Sequence, residues 1–209
     1  MKDMWNARYS EPEYAYGTEP NAFFREILST LRPGRILLPA EGEGRNAVFA
    51  ASIGWDVHAF DFSEEGRKKA LALSAERNAP IRYDIADFEE IDLPDRYFDA
   101  AGLFFVHLPP APRKLAHAAC SSALREGGML ILEAFSKQQL DLGTGGPKDE
   151  RLLYSLEDLK DDFPTIEFEV FERRTVDLGE GRFHRGEADV VRLAGIARHA
   201  AARKSAVSG

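Results

Sequence analysis

The stretch Pro39-Ala40-Glu41-Gly42-Glu43-Gly44-Arg45-Asn46-Ala47 decides how this chain is read. It follows an apolar run, Arg35-Ile36-Leu37-Leu38, and opens a helical segment that reaches about Ile53, with Gly54 as its stop. Asp61 then closes a second apolar run, Val57-His58-Ala59-Phe60. Strand, Gly-x-Gly turn, helix, strand and terminal acid form the pattern of a nucleoside-binding βαβ unit. Gly42 and Gly44 let the backbone approach a ligand, and Asp61 can accept hydrogen bonds from both ribose hydroxyls. The acidity of the loop narrows the ligand. Glu41 and Glu43 repel a pyrophosphate, which such turns hold through bare backbone N–H groups at a positive helix start. An adenosine that lacks phosphate and carries sulfonium and ammonium groups suits the loop better, which points to S-adenosylmethionine (SAM) as cofactor.

Outward from this loop the chain alternates. Strands are predicted over 35–39, 56–60, 81–85, 98–105 and 129–135, with helices over 45–53, 63–77 and 111–124 between them. Ser63 is the N-cap of the second of these helices, with Glu64 and Glu65 in its first turn. The run 98–105 is nearly all apolar and reads as a central strand buried on both faces. Gly127-Gly128 turns the chain into 129–135. A short helix over 155–162 follows, then two long runs, 166–176 and 188–196, joined through Gly179-Glu180-Gly181 as a hairpin. The expected fold is α/β: a doubly wound, mostly parallel, seven-stranded sheet with a C-terminal antiparallel β hairpin. Before the sheet, a helix is predicted over 21–31. Residues 1–20 carry Trp5, Tyr9, Tyr14 and Tyr16 and read as an ordered arm. Residues 1–198 are taken as a single domain, and the small, polar 199–209 as a frayed tail.

The 209 residues suffice for one well-packed α/β core. With 27 basic and 35 acidic residues the net charge is −8, which speaks against nucleic acid as a partner. No run approaches a membrane span, and the N-terminus has no signal-peptide core. The lone Cys120 cannot form an internal disulfide. A cytoplasmic protein with a small-molecule partner, no membrane attachment and no metal is expected. Cys120 itself lies among small residues on a predicted helix and reads as packing.

The chain resembles class I SAM-dependent methyltransferases, and within them the small tellurite-resistance and thiopurine-type branch. The residues that carry the likeness are Tyr16-Gly17-x-x-Pro20-Asn21, the loop 39–47, Phe105-Val106-His107-Leu108-Pro109, Ile131-Leu132-Glu133-Ala134-Phe135, Gly145-Gly146-Pro147 and Glu180-Gly181-x-x-His184. The resemblance implies a Rossmann-like methyltransferase fold and transfer of a methyl group to a small acceptor, with a thiol, chalcogen or amine favoured. Two positions depart from the commoner loop: Leu38 stands where an acid is usual, and Ala40 replaces the first glycine. The methionine ammonium then needs a loop carbonyl or Glu41 as acceptor.

The cofactor contacts expected are Ala40, Glu41, Gly42, Gly44, Asn46, Asp61, Phe62 and Phe104, and, by the resemblance, Asp87 with Phe88 after the third strand as the adenine contact. Phe62 can lie against the adenine or in the core. His107 is the candidate catalytic base or orienting group, because it follows the carboxyl end of the fourth strand, the edge where open α/β sheets bind ligands. Trp5, Tyr9, Tyr16, His107 and His184 are the acceptor candidates. The arm is expected to close over the methyl group while cofactor binding stays independent of it. Two rival readings are a nicotinamide (NAD(P))-dependent oxidoreductase, since Gly42-x-Gly44-x-x-Ala47 also meets the dinucleotide pattern, and a SAM-binding sensor without turnover.

Overall fold

The computed structural model describes residues 2–199. Seven strands, β1 (Arg35–Pro39), β2 (Asp56–Asp61), β3 (Arg82–Ile85), β4 (Phe98–Phe104), β5 (Leu124–Phe135), β6 (Ile166–Glu180) and β7 (His184–Ala197), form one sheet in the order β3-β2-β1-β4-β5-β7-β6. Pairs among β1 to β5 are parallel, and β7 runs antiparallel to both β5 and β6. The expected doubly wound sheet with a terminal hairpin is the observed fold. Neighbouring β1 and β4 come from different halves of the winding, so a crevice opens beyond their carboxyl ends.

The period-2 alternation of strands divides the core. Leu37, Ala101, Leu103, Leu130, Leu132 and Leu193 face one side of the sheet, where α5 (Pro110–Ala123) and α7 (Leu156–Asp162) cover them with Cys120, Leu159 and Phe163. Ile36, Leu38, Ala59, Ala100 and Ile131 face the other, under α2 (Ala22–Leu28), α3 (Arg45–Ser52) and α4 (Glu64–Glu76). Helix starts follow their caps. The side chain of Asn21 accepts the Phe24 N–H, Ser63 accepts the Gly66 N–H, and Ser155 with Asp158 forms a capping box. Burial without a charge partner pushes the Cys120 thiol up to about 12, as fits a packing residue.

Four boundaries differ from expectation. The arm contains a helix, α1 (Lys2–Tyr9), which carries no clean apolar stripe and is ordered by what it touches. The hairpin strands are longer than their apolar runs. Gly179 and Glu180 belong to β6, and the turn lies at Gly181-Arg182-Phe183. Gly127-Gly128 falls within β5, because Leu124 already pairs with Phe98 before the register shifts. His199, assigned to a frayed tail, is tied by its N–H to Glu126 and by its ring to the Leu124 carbonyl; the rest of that tail lies outside the described residues.

Candidate functional site

At the carboxyl edge of the sheet lies a cavity of about 670 Å³. Its walls come from the arm, the loop after β1, the ends of β2, β4 and β5, the segment 145–152 and the hairpin turn. Ala40, Glu41, Asn46, Asp61, Phe62 and Phe104 line it, as do Trp5, Tyr9, Tyr16, His107 and His184. Most of the residues singled out from sequence therefore meet in one place.

Its floor is held by backbone reversals. Ala40 (φ 49°), just past β1, and Phe105 (φ 55°), just past β4, adopt the left-handed region although neither is glycine. Glu41 closes the loop from within: one carboxylate oxygen accepts the N–H groups of Asn46 and Ala47, both at 2.8 Å, and so caps α3, whose N-cap Gly44 has no side chain to do it. Burial pushes its carboxyl up to about 7 against the pull of these donors and of Arg45. Asp61 accepts Gly42 N–H at 3.0 Å on one oxygen and Ser63 N–H at 2.8 Å on the other. Burial, with Asp87 adding to it, raises this carboxyl to about 6 although the N–H donors oppose the shift. Neither Glu41 nor Asp61 makes an ion pair among the described residues, whereas Glu43 is bound to Lys69 at 2.8 Å.

Four of the residues expected as cofactor contacts stand outside the lining of the cavity. Gly42 and Gly44 do not line the cavity. A Cβ on Gly42 would lie 2.6 Å from the Tyr9 hydroxyl oxygen, and one on Gly44 would lie 2.5 Å from the Ala70 Cβ on α4. Both also have positive φ, so glycine is required by helix packing and backbone geometry rather than by a ligand on that face. Asp87 and Phe88 are likewise absent from the lining. Asp87 is exposed, its carbonyl accepting the Glu90 and Ile91 N–H groups, and Phe88 packs edge-on against Phe60 at 5.3 Å.

The arm is bonded to the cofactor loop itself. Asn6 accepts the Ser63 hydroxyl at 2.6 Å, the Ala15 N–H donates to Glu43 at 2.8 Å, and Tyr9 is buried against Gly42 and Gly66. Independence of the two, as expected from the sequence, is not what the contacts describe. The arm also meets the hairpin turn, where Gly17 and Gly181 approach so closely that a Cβ on Gly181 would overlap the Tyr16–Gly17 backbone.

The other end of the cavity is aromatic. His184 is buried at the start of β7. Its ring lies 4.2 Å from Phe105 and 4.4 Å from Tyr16, centroid to centroid. Burial lowers its pKa despite Glu180, whose own carboxyl is held down at about 2 because His184 and Arg45 outweigh its burial. Arg45 pairs with Glu180 at 2.7 Å, fastening α3 to the hairpin. His107 meets the Leu152 carbonyl at 2.7 Å through Nδ1, which is therefore the protonated nitrogen, and Nε2 is buried without a partner. Burial, with His184 adding to it, pushes this ring down to about 4, so it is neutral at pH 7 and a weak base there. Sequence reasoning missed Arg8, Phe105, Phe135, Lys148, Leu152 and Phe183 as wall residues. Gly145-Gly146-Pro147, quoted only for its likeness, does line the cavity.

A family model described as a methyltransferase domain matches residues 36–128. Hemagglutinin 1 of Eikenella corrodens is 32% identical over 92 residues, 44% of this chain; the match spans only 31% of that relative's length. Among solved structures, a SAM-dependent methyltransferase from Methanosarcina mazei superposes with a TM-score of 0.71 at 15% identity, covering 87% of this chain and 100% of its own. TehB from Haemophilus influenzae gives 0.70 at 15% identity over 94% and 67%. At these identities the structures establish shared fold. Residues 36–128, which hold nearly all of β1 through β4 and the loop that opens the cavity, match the methyltransferase-domain model, in accord with the expectation of a methyltransferase enzyme.

Proposed function

We propose that the chain transfers a methyl group from SAM to a small molecule with a thiol, chalcogen or amine acceptor, as the tellurite-resistance and thiopurine-type branch does. The observation that carries the cofactor is the pair Glu41 and Asp61. Both carboxyls line the cavity, both are satisfied by N–H donors, and neither makes an ion pair among the described residues. A ligand with an ammonium and ribose hydroxyls fits that end; a pyrophosphate placed there meets two acids. This favours SAM over NAD(P). Glu41 and the Ala40 carbonyl region would receive the amino acid end, Asp61 the ribose, with Phe62 against the base.

When bound, the sulfonium supplies an already activated methyl group. The chain's share is then to align the acceptor and keep water out, and alignment alone is worth on the order of 7–11 kcal/mol. The aromatic end, with Tyr16, Phe105, Phe135 and His184, provides a dry wall for this. Burial lowers His107 to about 4 and so makes it a weak base, which supports an acceptor that needs little base catalysis over an alcohol. A small soluble acceptor, handled in the cytoplasm, also suits the net negative charge, and no helix among the described residues is long and apolar enough to cross a membrane.

Thermal melting with ligands tests the cofactor. S-adenosylhomocysteine at ~100 times its dissociation constant should stabilise the fold by about 2.7 kcal/mol. A shift with NADP and none with S-adenosylhomocysteine overturns the reading. Turnover in a screen of thiols, amines, phenols and tellurite then separates an enzyme from a SAM sensor.

A further inference from the structure

Of the charged groups that line the cavity, most are answered by the chain itself. Glu43 has Lys69, Arg45 has Glu180, and Asp149 has Arg151, while Glu41 and Asp61 cap backbone N–H groups. Arg8 is different. Its guanidinium lies 4.7 Å from the Trp5 ring centroid and 4.5 Å from that of Phe183, between the arm and the hairpin turn. One nitrogen donates to the Tyr16 hydroxyl at 2.8 Å, and no carboxylate pairs with Arg8 among the described residues. A guanidinium has five N–H donors in a planar fork that matches a carboxylate, and here only one donor is used. The aromatic faces hold the plane fixed while leaving its edge free. Lys148 lines the same cavity, also without an ion pair among the described residues. The cavity thus has carboxyls without cations at the glycine loop and cations without carboxylates on its other walls.

We infer that Arg8 is an anion receptor inside the cavity and holds a carboxylate of a bound small molecule in its planar fork. That molecule is the acceptor, because Arg8 stands at the aromatic end of the cavity, whereas the SAM reading, on which this inference rests, puts the methionine tail at Glu41. The Tyr16 hydroxyl accepts one of the fork's donors, and Trp5 beside it makes binding visible as a fluorescence change.

The experiment measures dissociation constants of the whole chain and of Arg8→Gln and Arg8→Lys, by calorimetry and Trp fluorescence. The probes come in pairs that differ by one carboxylate. S-adenosylhomocysteine is compared with S-adenosyl-3-thiopropylamine, which keeps the amine, and benzoate is compared with benzamide. Arg8→Gln should weaken benzoate at least about tenfold, the loss of a charge-assisted hydrogen bond, and leave benzamide and both nucleosides within about twofold. Arg8→Lys should recover part of the loss, because it keeps charge but not the fork. A loss confined to S-adenosylhomocysteine assigns Arg8 to the cofactor and overturns the inference. Equal changes within both pairs, or none, overturn the inference. A wild-type chain that binds neither nucleoside fells the cofactor reading alone, since the benzoate pair still tests Arg8.

Discussion

The two ends of the cavity are built by different kinds of contact. At the glycine loop, the two carboxyls that line the cavity are held largely by residues near in sequence. Glu41 bonds to Asn46 and Ala47, and Asp61 to Ser63 as well as to Gly42 of the loop. At the aromatic end, partners come from opposite ends of the chain: Arg8 between Trp5 and Phe183, His184 against Tyr16, Gly17 against Gly181. The first end is a local structure that the sheet merely presents. The second exists only when arm, β4 edge and hairpin are assembled. Contacts such as Asn6 to Ser63 and Ala15 to Glu43 make the arm the member that joins the two.

The severest way to break that division is to remove the arm. Deletion of residues 1–18 takes a backbone donor from buried Glu43 and a backbone acceptor from Lys69 and uncovers Gly42, so affinity for S-adenosylhomocysteine should fall by about a hundredfold, two lost hydrogen bonds to charged groups. The sheet and both faces of its core lie outside the deleted segment, so cooperative unfolding should persist. Unchanged affinity in calorimetry means that the loop stands without its cover. A smaller loss, about tenfold, is expected for Asp61→Ala, which removes an acceptor from the ribose and frees the Gly42 and Ser63 N–H groups. If Asp61→Ala costs as much as the deletion, the arm acts on the cofactor only through Asp61.

The mildest effect is one of pH. Glu41 and Asp61 have folded-state pKa values raised to about 7 and about 6. Raised carboxyls favour the folded state below the ordinary carboxylate range, and this contribution is lost as pH rises through the folded values. Relative to a Glu41→Gln variant, the free protein should therefore lose stability between about pH 4 and pH 7, a comparison in which the opposite contributions of His107 and His184, held below their ordinary value, cancel. A cationic ligand reverses the preference at Glu41, because it binds the charged carboxylate better. Affinity for S-adenosylhomocysteine should rise by about twofold to fivefold from pH 6 to pH 8, with proton release seen in buffers of different ionisation enthalpy. Proton uptake on binding would show that Glu41 does not face the ammonium.

The same division explains what could be read from sequence. β1 falls at the residues its apolar run marks, Ser63 caps α4, and Asp61 ends β2 inside the cavity, since each depends on spacing within a few residues. The loop glycines were legible as a turn but not as packing against Tyr9 and Ala70, which needs the third dimension. Arg8 and Phe183 gave no signal, because neither belongs to a local pattern and their meaning arises only from meeting. The hairpin strands ran past their apolar runs because Asp177, Arg185 and Glu187 lie in the exposed outer part of the ladder, where pairing asks nothing of hydropathy.

Ala40 and Phe105, the two residues held at positive φ beyond β1 and β4, set opposing selective pressures on this fold. A left-handed backbone costs a residue with a Cβ about 1–2 kcal/mol, a cost that glycine escapes. Selection for heat tolerance alone should therefore drift toward glycine at both positions. Yet each side chain is part of the wall that a ligand meets, the methyl of Ala40 near the loop and the ring of Phe105 against His184. Lineages kept for turnover would retain the strained residues, and lineages kept only for stability would lose them, so these two positions record which demand a given relative has answered.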